Sequence, residues 1–278
     1  MLLTIDVGNT HTVLGLFEGA TLRHHWRLRT DARRTADEYG LVMRELLGEC
    51  VAPSPPPSPA SNAGEEVLTS ASRAREGVVT GIGVSSVVPP LNQVLDAACR
   101  TYLRVPPLFI GPGVATGMPV LYDNPHQLGS DRLANAVAAY ARTRGATIVV
   151  DLGTATKFEY VSAAGAYIGG AIAPGLGIAG DALFERAARL YRVEIAKPER
   201  VLGRNTVHAI QSGLVYGYVA MVDGMVRRIR AEHGGAARVV ATGGFAPLVA
   251  TEAACIDEID EFLTLDGVRL IYARNSAH

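Results

Sequence analysis

The chain has 278 residues, 48% of them hydrophobic and 19% charged, with a formal net charge of −1. It exceeds one typical domain and is apolar enough for real cores, while the near-neutral balance gives no bulk attraction for nucleic acid, so no nucleic-acid partner is expected. Cys50, Cys99 and Cys255 stand far apart with no paired spacing, which points to reduced thiols and excludes a disulfide framework or a zinc site. No basic segment precedes an apolar core at the amino end, and no run reaches the roughly 18 apolar residues of a membrane span. A cytoplasmic protein without a membrane partner is expected.

The first stretch, Leu2 to Val7, alternates polar and apolar residues up to Asp6, passes through Gly8, Asn9 and Thr10, and continues in a second apolar run, Val13 to Phe17. This pattern predicts a hairpin. Its glycine lets backbone approach a ligand and its short side chains donate hydrogen bonds, which suits phosphate. A carboxylate repels phosphate, yet it can hold a hydrated magnesium ion that bridges to one. A plain hairpin with an Asx turn at Asn9 is the alternative. His11 reads as a turn residue. Arg23 to Arg29, around Trp26, alternates as a third strand, and Thr35 to Leu47 reads as a helix with a threonine cap and acids in its first turn. Ala52 to Ala63 holds five prolines among serines and alanines, a composition that predicts a disordered loop.

Beyond it, an apolar strand from Gly77 to Val88 runs into a helix from Leu91 to Tyr102, and a strand over Leu108 to Ile110 follows. A passage broken by glycine and proline then leads to Val120, which suggests a domain boundary with units 1–118 and 119–278. The polar stretch Tyr122 to Arg132 precedes an alanine-rich helix, Leu133 to Tyr140. Asp131 and Arg132 stand at that helix start, where free amides and the helix dipole favour an ionised carboxylate. Asp131 is there either a simple cap or a group that accepts a proton from a hydroxyl.

Ile148 to Thr156 then repeats the opening motif, an apolar strand ending in Asp151-Leu152-Gly153-Thr154, followed by an extended run, Phe158 to Val161. Two matching units half a chain apart predict two similar halves with a cleft between them. The region from Asn205 to Ile229 reads as a long helix without a charged face, either a core element or a subunit contact. Val239 to Ala241 is a strand ending at the Gly243-Gly244 turn, and the seven histidines have no metal spacing.

The paired Asp-x-Gly-Asn/Thr turns resemble the two phosphate motifs of the superfamily of acetate and sugar kinases and actin. Within it, the ordered set formed by Asp6 to Thr10, Ser85 to Pro89, Tyr122, Gly129-Ser130-Asp131-Arg132, Asp151 to Thr156, Gly169 to Gly175, Asn205-Thr206, Thr242-Gly243-Gly244 and Leu263 to Gly267 resembles the type III pantothenate kinases. The resemblance covers almost the whole chain. It departs at the proline-rich stretch and at Lys157, where the family more often has a small hydroxyl residue, so that a long cation either reaches the phosphates or points to solvent.

The resemblance implies an α/β fold of two ribonuclease-H-like (actin-like ATPase) domains, and ATP-dependent phosphorylation of pantothenate to 4'-phosphopantothenate, the first step of coenzyme A biosynthesis. It implies that Asp6 orients Mg²⁺, that Val7, Gly8, Asn9, Thr10, Gly153, Thr154 and Thr156 surround the phosphates, and that Gly243 and Gly244 meet the nucleoside. Asp131 is implied as general base, with Tyr122, Gly129, Ser130 and Arg132 holding pantothenate, whose carboxylate suits a guanidinium fork. It further implies a homodimer in which Thr206 reaches the substrate of the other subunit and Asp151 holds a monovalent cation, potassium or ammonium. The alternatives are a kinase for another small hydroxyl compound and a nucleotide-binding regulator, against which an intact Asp6, Asp131 and Arg132 argue.

Overall fold

A computed structural model describes residues 1–50, 79–187 and 190–276. The proline-rich stretch 52–63 lies outside the described residues. Strand β1 (Leu2–Val7) buries Leu3, Ile5 and Val7 completely. It pairs antiparallel with β2 (His11–Glu18), which pairs antiparallel with β3 (Thr21–Arg29). On its other side β1 pairs parallel with β4 (Gly81–Ser86), and β4 with β5 (Pro107–Phe109), giving the order β3-β2-β1-β4-β5.

The second half repeats this plan. An antiparallel meander of β6 (Thr147–Leu152), β7 (Ala155–Val161) and β8 (Tyr167–Pro174) is extended by two parallel strands, β9 (Arg238–Thr242) and β10 (Glu258–Ile259), in the order β8-β7-β6-β9-β10. Strand for strand it superposes in topology on the first sheet. Asp6 and Asp151 are the penultimate residues of β1 and β6, so the sequence repeat is also a structural one.

Helix α1 (Ala36–Cys50) starts with the predicted cap. Thr35 Oγ1 accepts the Glu38 amide at 3.3 Å, and Glu38 Oε2 accepts the Thr35 amide at 2.7 Å, a reciprocal arrangement that satisfies two otherwise free donors. Tyr39, Met43 and Leu47 then recur on one buried face. Helix α2 (Pro89–Ala98), with Pro89 and Pro90 in its first turn, buries Leu91 and Leu95 and ends in a π-helical turn, Cys99–Leu103.

Two helices separate the sheets: α3 (Ser130–Thr143) and α7 (Leu263–Asn275). They meet where a Cβ on Gly267 would collide with the Ala134 carbonyl, an approach that only glycine permits. Although α7 comes last in the chain, it packs on the first sheet. Leu265 lies over Gly15, Val268 over Gly83 and Tyr272 over Gly81, so a boundary at 118/119 divides the chain but not the packing. The opposite face of the second sheet is covered by α4 (Leu176–Arg186), α5 (Thr206–Glu232) and α6 (Ala246–Val249), around Val150, Phe158, Val222 and Val226. Cys99 and Cys255 are free thiols, both pushed up to about 12 chiefly by burial. Among the described residues no helix is long and apolar enough to cross a membrane.

Candidate active site

The turns after β1 and β6 face each other across the molecule, and the hydroxyls of Thr10 and Thr154 meet at 2.8 Å. Between them lies a cleft of about 380 Å³. From the first turn it is lined by Asp6, Gly8 and Asn9, from the second by Asp151, Gly153 and Thr154, and from α3 by Gly129, Asp131 and Arg132. Gly243 and Gly244 close it from the end of β9. Gly243 has φ +94°, and a Cβ there would come within 2.6 Å of the Leu152 backbone. Both constraints demand glycine.

Asp6 is partly buried, and its Oδ1 is shut off from solvent with no hydrogen-bond partner. Burial, reinforced by the nearby Asp131, pushes its carboxyl up to about 7. An orphaned carboxylate oxygen in this position fits a cation. A single carboxylate suits Mg²⁺, an ion that keeps most of its water and takes further ligands from phosphates.

Helix α3 carries Asp131 in its first turn, while Gly129 occupies the cap position. Asp131 is therefore not the N-cap residue. The helix start is fixed from below: Ser130 Oγ accepts the Ser86 amide at 2.9 Å and lies 3.1 Å from Ser85 Oγ. Asp131 Oδ1 accepts the Arg132 amide at 2.8 Å, and its Oδ2 lies 2.6 Å from Lys157 Nζ. The same ammonium is 2.8 Å from Asp151 Oδ2. Lys157 thus points neither to solvent nor freely into the phosphate space; it bridges the two carboxylates. Burial opposes its charge, but Asp151 and Asp131 outweigh that and hold it above the usual lysine range.

The Arg132 fork is engaged within the chain. Its Nε and Nη2 bond Glu159 Oε1 and Oε2 at 2.7 and 2.9 Å, and Nη2 also donates to the Tyr167 hydroxyl at 2.8 Å. A buried guanidinium requires a counterion, and Glu159, 1% exposed, supplies it from within the chain. The Tyr122 ring lies 5.6 Å from the Arg132 guanidinium carbon, so Tyr122 and Arg132 remain together beside the cleft. Glu159 was visible in the sequence but carried no signal, because its partner is 27 residues away.

Three further positions lie outside the lining of this cleft. Val7 is a core residue whose carbonyl accepts the Val87 amide. Thr156 is fully buried, and its hydroxyl has no hydrogen-bond partner. Neighbours on a strand face opposite ways, so with Lys157 turned into the cleft Thr156 turns away from it. Thr206 begins α5 and lines a separate hollow of about 690 Å³ with Leu183 and Asn205. His11 and Arg27, read only as turn and strand residues, do line the cleft.

The comparisons with known proteins agree with this layout. The family model of the type III pantothenate kinases matches residues 2–228. A type III pantothenate kinase of Myxococcus xanthus is 53% identical over 277 residues, covering 100% of both chains. Among solved structures, component A of the (R)-2-hydroxyglutaryl-CoA dehydratase of Acidaminococcus fermentans covers 100% of this chain and 99% of its own, with 12% identity and a TM-score of 0.56. The ROK hexokinase of Thermus thermophilus covers 99% of this chain and 98% of its own, with 14% identity and a TM-score of 0.51. Those two likenesses are of fold, an actin-like ATPase built from two ribonuclease-H-like halves. With a family model spanning most of the chain and a relative of this identity over its full length, the chain belongs to the type III pantothenate kinase family.

Proposed function

We propose that the protein transfers the γ-phosphoryl group of ATP to the primary hydroxyl of pantothenate, giving 4'-phosphopantothenate for coenzyme A synthesis. The observation that carries this reading is the Asp131 carboxylate, which lies in a cleft framed by both aspartate turns and commits only Oδ1 to the helix start. Phosphoryl transfer asks for alignment, charge compensation and a group that accepts the hydroxyl proton. Asp131 accepts that proton through Oδ2 once Lys157 yields the position, while its Oδ1 stays anchored on the Arg132 amide. Gly8, Asn9, Gly153 and Thr154 line the space for the phosphates. Asp6 would hold Mg²⁺, which neutralises charge developing on the phosphoryl oxygens.

The Arg132–Glu159–Tyr167 cluster keeps α3 fixed to the second sheet and presents Tyr122 to the acceptor. A potassium or ammonium ion beside Asp151 belongs to the proposal, because Lys157 brings one positive charge to two carboxylates with Asp6 nearby. So does a homodimer. Val201, Leu202 and Tyr191, before α5, are 62%, 84% and 59% exposed in this chain, large apolar side chains that a subunit contact would cover. The test is a screen of small hydroxyl acids for ADP release, in which pantothenate alone should raise turnover well above the ATPase background. Equal stimulation by unrelated acceptors would overturn the assignment.

A further inference from the structure

Three cations line the cleft: Arg27, Arg132 and Lys157. Arg132 is held by Glu159, and Lys157 by Asp131 and Asp151. Among the described residues Arg27 alone of the three has no carboxylate within ion-pair distance. It extends from β3, cross-strand from Val13, and reaches the opposite half, where a Cβ on Gly244 would lie 3.4 Å from its Nη1. Its charge is also felt at His11, whose imidazole is held below the usual range by burial and then by Arg27.

A second hollow of about 380 Å³ adjoins the cleft and shares Arg27, Gly153, Thr154 and Gly244 with it. It adds Ile178 and Phe245, apolar surface suited to a base, with Asp181 beside them. The cleft proper carries Asp6, Asp131, Asp151 and Glu261. A nucleotide whose reacting end lies at Asp131 and whose base lies at Ile178 and Phe245 passes its phosphate chain through the shared section, beneath Arg27. The carboxylates of the reacting end repel that chain, and the other two cations are already paired. A free, planar guanidinium at this junction matches phosphate oxygens in geometry and sign.

We propose that Arg27 binds the α- and β-phosphates of the nucleotide, clamping them from the first sheet against the glycine turns of the second. This rests on the phosphotransfer reading for the direction in which the nucleotide lies. The test is calorimetric titration of the full chain with Mg·ADP and with adenosine, without pantothenate, for wild type, Arg27→Met and Arg27→Lys. Arg27→Met should weaken ADP about 10- to 100-fold, the range for hydrogen bonds to charged groups, and leave adenosine unchanged, with Arg27→Lys recovering part of the loss. Unchanged ADP affinity in Arg27→Met, or equal weakening of ADP and adenosine, overturns the proposal. If pantothenate is not phosphorylated but ADP is still selectively weakened, the clamp stands and only the acceptor assignment falls.

Discussion

At the residue scale, the cleft concentrates three aspartates around one lysine, and their roles separate by environment. Asp131 is anchored through one oxygen and free to exchange the other, so Asp131→Asn keeps volume and helix start but removes the proton acceptor. Turnover should fall by about 10² to 10⁴ with the melting temperature nearly unchanged. A variant that kept most of its rate would show that another group takes the proton. Asp6 pays for its position. Its ordinary value of 3.8 is raised to about 7 on folding, first by burial. A raised carboxyl binds its proton more tightly when folded, so its ionisation opposes folding. That penalty is absent well below pH 4, grows as pH rises towards 7, and is complete above it. Asp6→Asn should therefore melt higher than wild type at pH 8, by roughly 3–8 °C, and much the same at pH 4, while losing activity that raised Mg²⁺ restores only in part. A lower melting point than wild type at pH 8 would contradict this reading of Asp6.

At the scale of elements, the repeat was legible because apolar alternation and the Asp-x-Gly turns report local structure. The strands β1, β2, β6 and β7 lie where the pattern puts them, and the Thr35–Glu38 box starts α1 as expected. Long-range pairing was not legible. Nothing near Lys157 announces that β7 turns it towards Asp131, 26 residues away, and nothing near Arg132 names Glu159 as its partner. Nor did local pattern show that α7 crosses to the first sheet, since that depends on Gly15, Gly83 and Gly267 making room in three distant places. A motif lists consecutive residues while a strand shows a cleft only every second one, so Thr156 and Lys157 face opposite ways. The contact of Gly267 with Ala134 gives a prediction of its own. Gly267→Val forces α3 and α7 apart, which should cost about 1–3 kcal/mol and displace Asp131, about one turn before Ala134 on α3. Turnover measured well below the melting temperature should drop at least about tenfold, since misplacement by an ångström is costly. Full activity in a destabilised variant would mean that α3 is not the element that places the base.

At the scale of the molecule, two sheets of the same topology present their turns to one cleft, and the bridging helices make its geometry a property of both halves. The proposed dimer adds a second constraint. Gly213 on α5 has open space around it in one protomer, so Gly213→Glu should leave the folded chain intact yet give a monomer by sedimentation, with acceptor KM raised. A dimeric Gly213→Glu would move the contact elsewhere. The ion at Asp151 is tested by rates in potassium and in sodium. Wild type should be faster in potassium, and Lys157→Thr, which removes the internal ammonium, should widen the ratio; equal rates in both salts for both proteins would remove the ion from the account. The central claim is tested most directly by incubating the protein with γ-labelled ATP, Mg²⁺ and pantothenate and identifying the labelled product by mass spectrometry. The account predicts labelled 4'-phosphopantothenate formed in step with ADP and absent with Asp131→Asn. Label that appears only as free phosphate, or a phosphorylated pantothenate that persists in Asp131→Asn, would contradict it.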